Sequence, residues 1–489
     1  MLAERTNPRT ELLDSFLHPS HGDLKSLTEL HRTAAHQDPI LYPSLGRWYQ
    51  SHGSLRDHHE LFVAHSLTSS FPEHRENGLV LLQTLRPYQV ARVVRYVKET
   101  LRFPTRILKS AVRFYLRRRE QNAAWFDECC IRDRTSMKYL YATLRIKPSE
   151  RAELILFADR PPADSRMQVC RRLFSLRDKP DEQARLISTH RIQFMTARGA
   201  ISNYTPEVLK ALTGVMTPPQ LITNLSFLEK RGVLSHPELR QVVEQKLRRA
   251  VTESRVCEFK ALVALKRISA DPKLADQILA MIGERLRGRG RITVPTAILV
   301  DKSGSMQECI EVGKLLAVLC GTIADAPLYV EAFDSHSFTV DPVTRDFAGW
   351  EAAFRRIQAA GATSVGAPLR KLRERPLEQI LLISDGEENT QPFFAAEVLA
   401  YQRAHGRDLH VVWIKVGQTS QTFENTLNTF DVDIIRFRGD YYNLPNVIPL
   451  LCPGNHASLV DEVLAVPPYT RQDLENLPSG FDPETYEVL

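Results

Sequence analysis

Asp301-Lys302-Ser303-Gly304-Ser305-Met306 follows directly on the apolar run Val294 to Val300. Such a run reads as a buried strand, and its carboxyl end is where an open α/β sheet places its ligand sites. Asp301, Ser303 and Ser305 alternate at i, i+2, i+4, so three small oxygen-bearing side chains can turn towards one point above the sheet edge. Two further oxygen donors stand at matching places: Thr363 in the loop Gly361-Ala362-Thr363-Ser364, and Asp385 directly after the run Ile380 to Ser384. Carboxylates, hydroxyls and waters are the ligand set of a hard divalent cation, above all Mg²⁺, which keeps several waters and takes few direct carboxylates. An incomplete protein shell also leaves room for an acidic group from outside.

Working outward from this motif, strand-like runs recur at Leu328 to Phe333, Gln379 to Ser384, Leu409 to Val416 and Asp433 to Phe437. Amphipathic segments fall between them, at Ile310 to Ile323, Trp350 to Ile357, Pro368 to Arg373 and Phe394 to His405. Strand and helix in alternation predict a mostly parallel sheet covered on both faces, an α/β doubly wound domain over residues 294–489.

Upstream the pattern changes. From Glu11 to about Arg287 one short amphipathic helix follows another with Pro or Gly at the joints, as in Leu61 to Leu67, Val90 to Leu101, Arg106 to Arg119, Glu207 to Thr213 and Pro219 to Lys230. Paired helices with no sheet predict a HEAT-like α-helical repeat domain over residues 1–285. The tract from Leu286 to Arg291, within a linker of residues 286–293, separates the two compositions and reads as flexible.

Charge divides at the same place. Residues 1–291 carry 49 Lys and Arg against 31 Asp and Glu, a net of +18, and residues 292–489 carry 15 against 27, a net of −12. The basic half suits a polyanion; the acidic half suits a cation or a basic protein. With 489 residues, 43% apolar and 25% charged, the chain is expected to form two or three globular domains. It has no run of about 18 apolar residues to span a bilayer and no apolar segment after its first residues, so the expectation is a cytoplasmic protein with no membrane partner. Seven cysteines without a CxxC pair argue against a disulfide framework or a zinc knuckle.

Within the basic half, ten Lys or Arg and one acid lie between Arg92 and Arg119. Arg106, Lys109, Arg113 and Arg117 recur at steps of three and four, while Ile107, Leu108, Ala111, Val112, Tyr115 and Leu116 form the opposite stripe. A single run of this kind is usually a solvated helix face. In a half of net +18, followed by Arg132, Arg134, Lys138, Arg145 and Lys147, it becomes a candidate phosphate-binding surface. His58-His59-Glu60 with His65 resembles a zinc-protease helix, but His59 and His65 are six apart and cannot share a face, so they are expected to be surface or core histidines.

The order DxSxS, loop threonine, strand-end aspartate resembles the metal-ion-dependent adhesion site of the von Willebrand A-type domain. A helical basic half before such a domain resembles the Ro autoantigen family, whose N-terminal region is the TROVE module. Pro206 to Leu225 is similar to that family's EVWKALL…MPLTALLRNL segment, and Arg132 to Pro148 to its RNGWSHKDLLRLSHLKP segment. The resemblance implies a closed, monomeric ring of HEAT-like helices, sealed by the A-type domain. It implies small Y-like noncoding RNA on the outer surface, single-stranded 3′ ends of misfolded RNA in the hole, and work beside an exoribonuclease such as polynucleotide phosphorylase. Arg132 and Lys138 match family cations, and Arg145 stands where the family has histidine. Glu128 and Cys130 occupy places where the family carries lysines.

The expected function is therefore a noncatalytic RNA-binding ring that acts as a ribonucleoprotein scaffold in RNA quality control. The alternative is a protein-interaction scaffold whose metal site grips an acidic partner, with no RNA role. An enzyme is not expected: there is no nucleophile and base pair, no Walker loop, and no carboxylate pair to hold two ions.

Overall fold

The computed structural model describes residues 24–52, 56–250, 272–287, 290–345, 347–417 and most of 421–477, with breaks at 428, 431, 438–443, 445–446, 449 and 453–454, together with Arg9, Leu12, Phe16, Ala261 and two short strands at the end. Gly288 and Arg289, in the middle of the expected linker, lie outside the described residues.

The helical half comprises α1 (Leu24–Gln37), α2 (Leu41–His52), α3 (Arg56–Thr68), α4 (Pro72–Thr84), α5 (Pro87–Glu99), α6 (Thr105–Glu120), α7 (Ala123–Thr143), α8 (Arg166–Ser175), α9 (Pro180–His190), α10 (Phe194–Ala200), α11 (Pro206–Val215), α12 (Pro218–Thr223), α13 (Leu225–Lys230), α14 (Pro237–Ala250) and α15 (Pro272–Arg287). Several begin with Pro in the first turn, where the missing N–H is no loss, and Thr205 and Thr217 cap α11 and α12 by accepting N–H bonds from Val208 and Gln220. Contacts run between helices one or two apart in sequence, as in α3 with α4, α5 with α7, and α9 with α11, which is the packing of a repeat array. The helix expected over Pro219 to Lys230 is broken at Asn224, whose backbone leaves the helical region at φ −106°, ψ 11°. Among the described residues no helix is long and apolar enough to cross a membrane.

The second half is built on six strands, β1 (Thr296–Asp301), β2 (Leu328–Phe333), β3 (Ser337–Thr339), β4 (Gln379–Ser384), β5 (His410–Val416) and β6 (Val432–Phe437), in the order β3-β2-β1-β4-β5-β6. All neighbours are parallel except β2 and β3. The helices are α16 (Gln307–Ile323), α17 (Phe347–Phe354), α18 (Gly366–Lys371), α19 (Phe394–His405), α20 (Gln421–Leu427) and, after the sheet, α21 (Asn455–Ala465). Every residue of β1 and β4 is buried, and alternate residues feed two cores. Ile298, Val300, Leu381 and Ile383 join one; Ala297, Leu299, Ile380 and Leu382 join the other. Each fully buried Val, Ile or Leu contributes about 1.5–3 kcal/mol. Gly313 lets α16 lie on β1, because a Cβ there would stand 2.5 Å from the Val300 side chain.

The two halves are not separate bodies. The first sheet core is continuous with that of α8 to α15, through Leu173, Ile187, Leu212, Leu228 and Ile282. Leu286 and Ile292, flanking the undescribed pair, are both fully buried, and Ile292 bridges to Ala324. At the other end, Val460 and Val463 of α21 sit in the core of the first helices with Leu45, Trp48 and Leu85. Arg47 donates to Pro467 O at 2.8 Å and lies 4.2 Å over the Tyr469 ring; the Tyr469 hydroxyl donates to Gln50 at 2.9 Å. Arg118 of α6 donates to Leu477 O at 3.0 Å. The C-terminal half thus holds both ends of the helical array, and the chain closes on itself.

Candidate metal centre and cation surface

Reversal of strand order places a crevice at the carboxyl ends of β1 and β4, and the oxygen-bearing residues converge there. Asp301 ends β1 with no exposed surface. One of its carboxylate oxygens accepts the Ser303 N–H at 2.9 Å and the other accepts the Ser384 hydroxyl at 2.7 Å, so the carboxylate is held from both sides. Ser303 is buried and Ser305 exposed at the rim. The loop carrying Thr363 is laced onto the motif by Ala360 N–H to Lys302 O at 2.7 Å and Gly304 N–H to Gly361 O at 3.2 Å. Gly361 takes φ +89° there, and a Cβ would stand 3.1 Å from Asp334. Thr363 is buried; Asn389 receives its N–H at 2.9 Å and returns its own N–H to Thr363 O at 3.1 Å. Asp385, buried at the end of β4, accepts the Glu387 N–H at 3.0 Å.

The electrostatics of this crevice are those of a site lacking a positive charge. Burial, then the neighbouring Asp301 and Glu387, push Asp385 up to about 6. Burial also raises Asp301, against its hydrogen bonds to Ser384 and Ser303. The buried amine of the motif, Lys302, is turned away to pair with Asp334 and rests 4.5 Å over the Phe338 ring, and Lys415, beside Ser384 on β5, pairs with Glu424. Two buried carboxylates without a cation partner, ringed by hydroxyls, fit a hard divalent ion. Among the described residues no three His, Cys, Asp or Glu side chains are grouped to hold a metal ion.

Sequence reading missed Ser384 and the Lys302–Asp334 pair. Both had a signal: Ser384 closes the run before Asp385, and Asp334 directly follows β2, the third strand to end at this edge. Asp334 accepts the His336 N–H at 2.8 Å and its carbonyl accepts Ser364 N–H at 2.8 Å, so the pair braces the threonine loop. Beside the crevice, between α16 and α17, lies a groove of about 580 Å³ lined by Gln307, Lys314, Glu351, Phe354 and Arg355 among others.

The expected RNA-facing cations fare differently from one another. On α6, Leu108, Ala111, Val112, Tyr115 and Leu116 are buried as expected, but Ile107 is 37% exposed. The buried stripe continues to Arg119 instead, whose guanidinium lies 3.3 Å over the Tyr115 ring and donates to Gln83 O and Leu85 O. Arg106 and Arg113 are exposed and Lys109 half-buried, and none meets a carboxylate among the described residues. Arg117 is spent on structure: it pairs with Glu120 and donates to Lys147 O at 2.9 Å. α7 kinks at Asp133 (φ −132°, ψ 38°), between Arg132 and Lys138, which are both half-buried. Burial, then the charge of Arg86, pull Arg132 below the usual arginine range. Arg145 is exposed and takes φ +50° at the end of α7, where Ile146 N–H reaches back to Tyr141 O at 2.9 Å. Arg132, Lys138 and Arg145 stand at separate points along α7 and the turn that ends it. Of the decoy histidines, His58 and His65 are buried: His58 meets His31 at 2.7 Å and His65 meets the Tyr96 hydroxyl at 3.1 Å.

The comparisons with known proteins bear on this architecture. The Ro (Rsr) protein of Deinococcus radiodurans matches over 90% of this chain and 99% of its own, at TM-score 0.65 and 12% identity. The chain shares that protein's fold: a many-helix first half, then a mostly parallel six-stranded sheet with helices. A von Willebrand factor type A structure from Catenulispora acidiphila matches 35% of this chain and 43% of its own, at TM-score 0.26 and 15% identity. Proximal thread matrix protein 1 from the mussel byssus matches 33% of this chain and 48% of its own, at TM-score 0.28 and 15% identity. No protein-family model matches the sequence, and no curated protein does.

Proposed function

We propose that this protein is a noncatalytic RNA-binding ring that acts as a ribonucleoprotein scaffold in RNA quality control. The observation that carries the reading is the set of cations Arg106, Lys109 and Arg113, free of carboxylate partners among the described residues, on a closed Ro-type fold whose helical half has a net charge of +18. Cations left unneutralised on a structured surface bind phosphates by releasing counterions, and the gain grows with their number. Structured, Y-like noncoding RNA binds this outer face. Arg132, Lys138 and Arg145 meet single-stranded 3′ ends of misfolded RNA, for a lone strand enters an opening that a stiff duplex cannot.

Asp301, Ser303, Ser305, Thr363 and Asp385 hold a divalent ion, Mg²⁺ by ligand chemistry. Bound there, the ion supplies an open coordination position for a carboxylate from outside. That open position gives this half a second role, docking an acidic segment of a partner protein such as an exoribonuclease. The closest test is native purification followed by absorbance at 260 nm before and after ribonuclease. Copurifying RNA that protects the helical half from proteolysis is expected. A protein that leaves the column free of nucleic acid and fails to bind structured or single-stranded RNA at low salt removes the reading and leaves the protein scaffold.

A further inference from the structure

Around α10 and α13 lies a feature outside the cations considered so far: two arginines and two rings in alternation. The Arg231 guanidinium stands 4.2 Å from the Tyr204 ring centre and 5.8 Å from that of Phe227. Arg198 stands 4.6 Å from Phe227. Tyr204 and Phe227 meet edge to face at 5.5 Å. Both rings are half-buried and rooted on the core, while Arg231 is exposed and Arg198 half-exposed.

The charges of these arginines are not neutralised. Arg198 donates to the Asn224 side-chain oxygen at 3.2 Å, and neither guanidinium meets a carboxylate among the described residues. Other arginines of the helical half do: Arg134 pairs with Asp159, Arg151 with Asp127, and Arg166 with Glu128. Arginines that tie helices together are anchored in this way or, like Arg119, by backbone carbonyls, and among the described residues the Arg231 guanidinium meets neither a carboxylate nor a carbonyl. Here the rings fix two planar cations in place and leave their charge unmatched. A planar cation on an aromatic face presents π-stacking surface and positive charge together, which is the combination that unpaired nucleobases and their phosphates recognise. A duplex hides its base faces, so the occupant is single-stranded.

We propose that Arg198, Tyr204, Phe227 and Arg231 form a stacking platform for unpaired bases of single-stranded RNA. The proposal rests on the RNA-binding reading and adds a base-contacting site to its phosphate contacts. Because bases of every kind have a stackable face, the platform tolerates sequence and discriminates a base-bearing strand from an abasic one.

The test uses the full chain with a short oligoadenylate carrying 2-aminopurine, and with the same strand made abasic at several positions. The wild type should bind the base-bearing strand about five- to tenfold tighter than the abasic one, with a stacking-induced fluorescence change. Arg231→Lys keeps the charge and removes the plane; with Tyr204→Leu, which keeps an apolar anchor on the core, it should bring both strands to similar affinity. If Arg231→Lys binds as wild type while Arg231→Gln is weakened, the residue contributes charge alone and the platform is overturned. Equal affinity of the wild type for both strands overturns it as well. Polyglutamate bound as tightly as the RNA, and lost in Arg231→Lys, would make this an acidic-protein site and also overturn it. If the wild type binds no RNA of any kind, the broader functional reading fails first, an outcome that these comparisons separate from failure of the platform.

Discussion

The indole N–H of Trp48 donates to the Glu462 carboxylate at 2.8 Å across 414 residues of sequence, and so ties the last helix of the sheet half to the second helix of the array. Trp48 is itself buried, and its ring packs in the same core as Val460 and Val463. A hydrogen bond to a charged group contributes about 1.5–3 kcal/mol, and loss of a buried tryptophan costs about 3–5 kcal/mol. Glu462→Gln should therefore loosen the closure without unfolding the chain, and Trp48→Ala should open it. Hydrogen exchange at α2 and α21 reads both. Faster exchange at both helices in Glu462→Gln, with the central strands unchanged, is the expected result; unchanged exchange in Trp48→Ala would show that closure does not depend on this contact.

At the crevice, Asp301→Ala removes a charged oxygen that Ser303 and Ser384 hold in position. Calorimetry on the full chain should show Mn²⁺ or Mg²⁺ binding in the wild type and none in Asp301→Ala. Ser384→Ala leaves all five proposed ligands in place but frees one side of the Asp301 carboxylate, so weakened binding, about tenfold, is expected. Wild-type metal affinity in Asp301→Ala would remove the assignment.

RNA affinity should hardly follow the metal. The half that carries Asp301 has a net charge of −12 and repels phosphate, so Asp301→Ala should keep RNA affinity within about threefold by filter binding at fixed salt. A large loss in a folded variant would mean that the crevice itself meets RNA.

Much of the sheet half was legible because its signals are local. Continuous apolar runs, a strand-end DxSxS and an aspartate directly after a later run place a crevice without any knowledge of tertiary contacts. β3 escaped notice because three residues on an edge, Ser337-Phe338-Thr339, carry too little alternation. Arg119 is indistinguishable in sequence from the other cations of its run because a charge counts as polar in any periodicity. Its burial depends on the Tyr115 and Trp125 rings and on two carbonyls of the preceding helices, which sequence spacing does not reveal. Closure through Trp48, Glu462 and Tyr469 was not legible at all from the residues themselves, since nothing local links positions more than 400 apart.

Acid should act with opposite sign on the first helices and on the loop after β4. Burial, then the charges of His58 and His65, hold His31 well below the usual histidine value, and burial brings His65 down to about 4. The unfolded chain protonates these residues first as pH falls, so their contribution is complete above about 6.5 and is lost on the way down to about 4. Burial raises Glu388 to about 7, so the folded state takes its proton first and gains stability as pH falls through 7 towards the usual carboxylate range. Exchange measured in chelator, corrected for intrinsic rates, should show α1 to α3 losing protection between pH 6.5 and 4 while the strap from Glu388 to Phe394 does not. Equal loss in both segments would show that general charge repulsion governs acid unfolding.

The last prediction separates the two faces proposed for RNA. Among the described residues Arg106, Lys109 and Arg113 on α6 meet no carboxylate and form the surface proposed for structured RNA, whereas Arg132 and Arg145 flank Lys138 on or after the kinked α7, the surface proposed for single-stranded ends. Replacing Arg106 and Arg113 by Glu should weaken a hairpin with a 3′ tail and the same hairpin without one to a similar degree. Each lost contact should flatten the salt dependence by about 0.9 in log–log slope on a duplex. Replacing Arg132 and Arg145 by Glu should weaken the tailed RNA far more than the blunt one, with a slope change of about 0.7 for each contact to a single strand. Arg145 is the more informative of the pair, because it is exposed, whereas the partial burial of Arg132 makes a glutamate there a local structural change as well. Equal losses on tailed and blunt RNA in the Arg132 and Arg145 variant would leave RNA binding intact and remove the entry of single-stranded ends from the mechanism. Wild-type binding of both RNAs in all variants would leave these four residues no part in RNA binding.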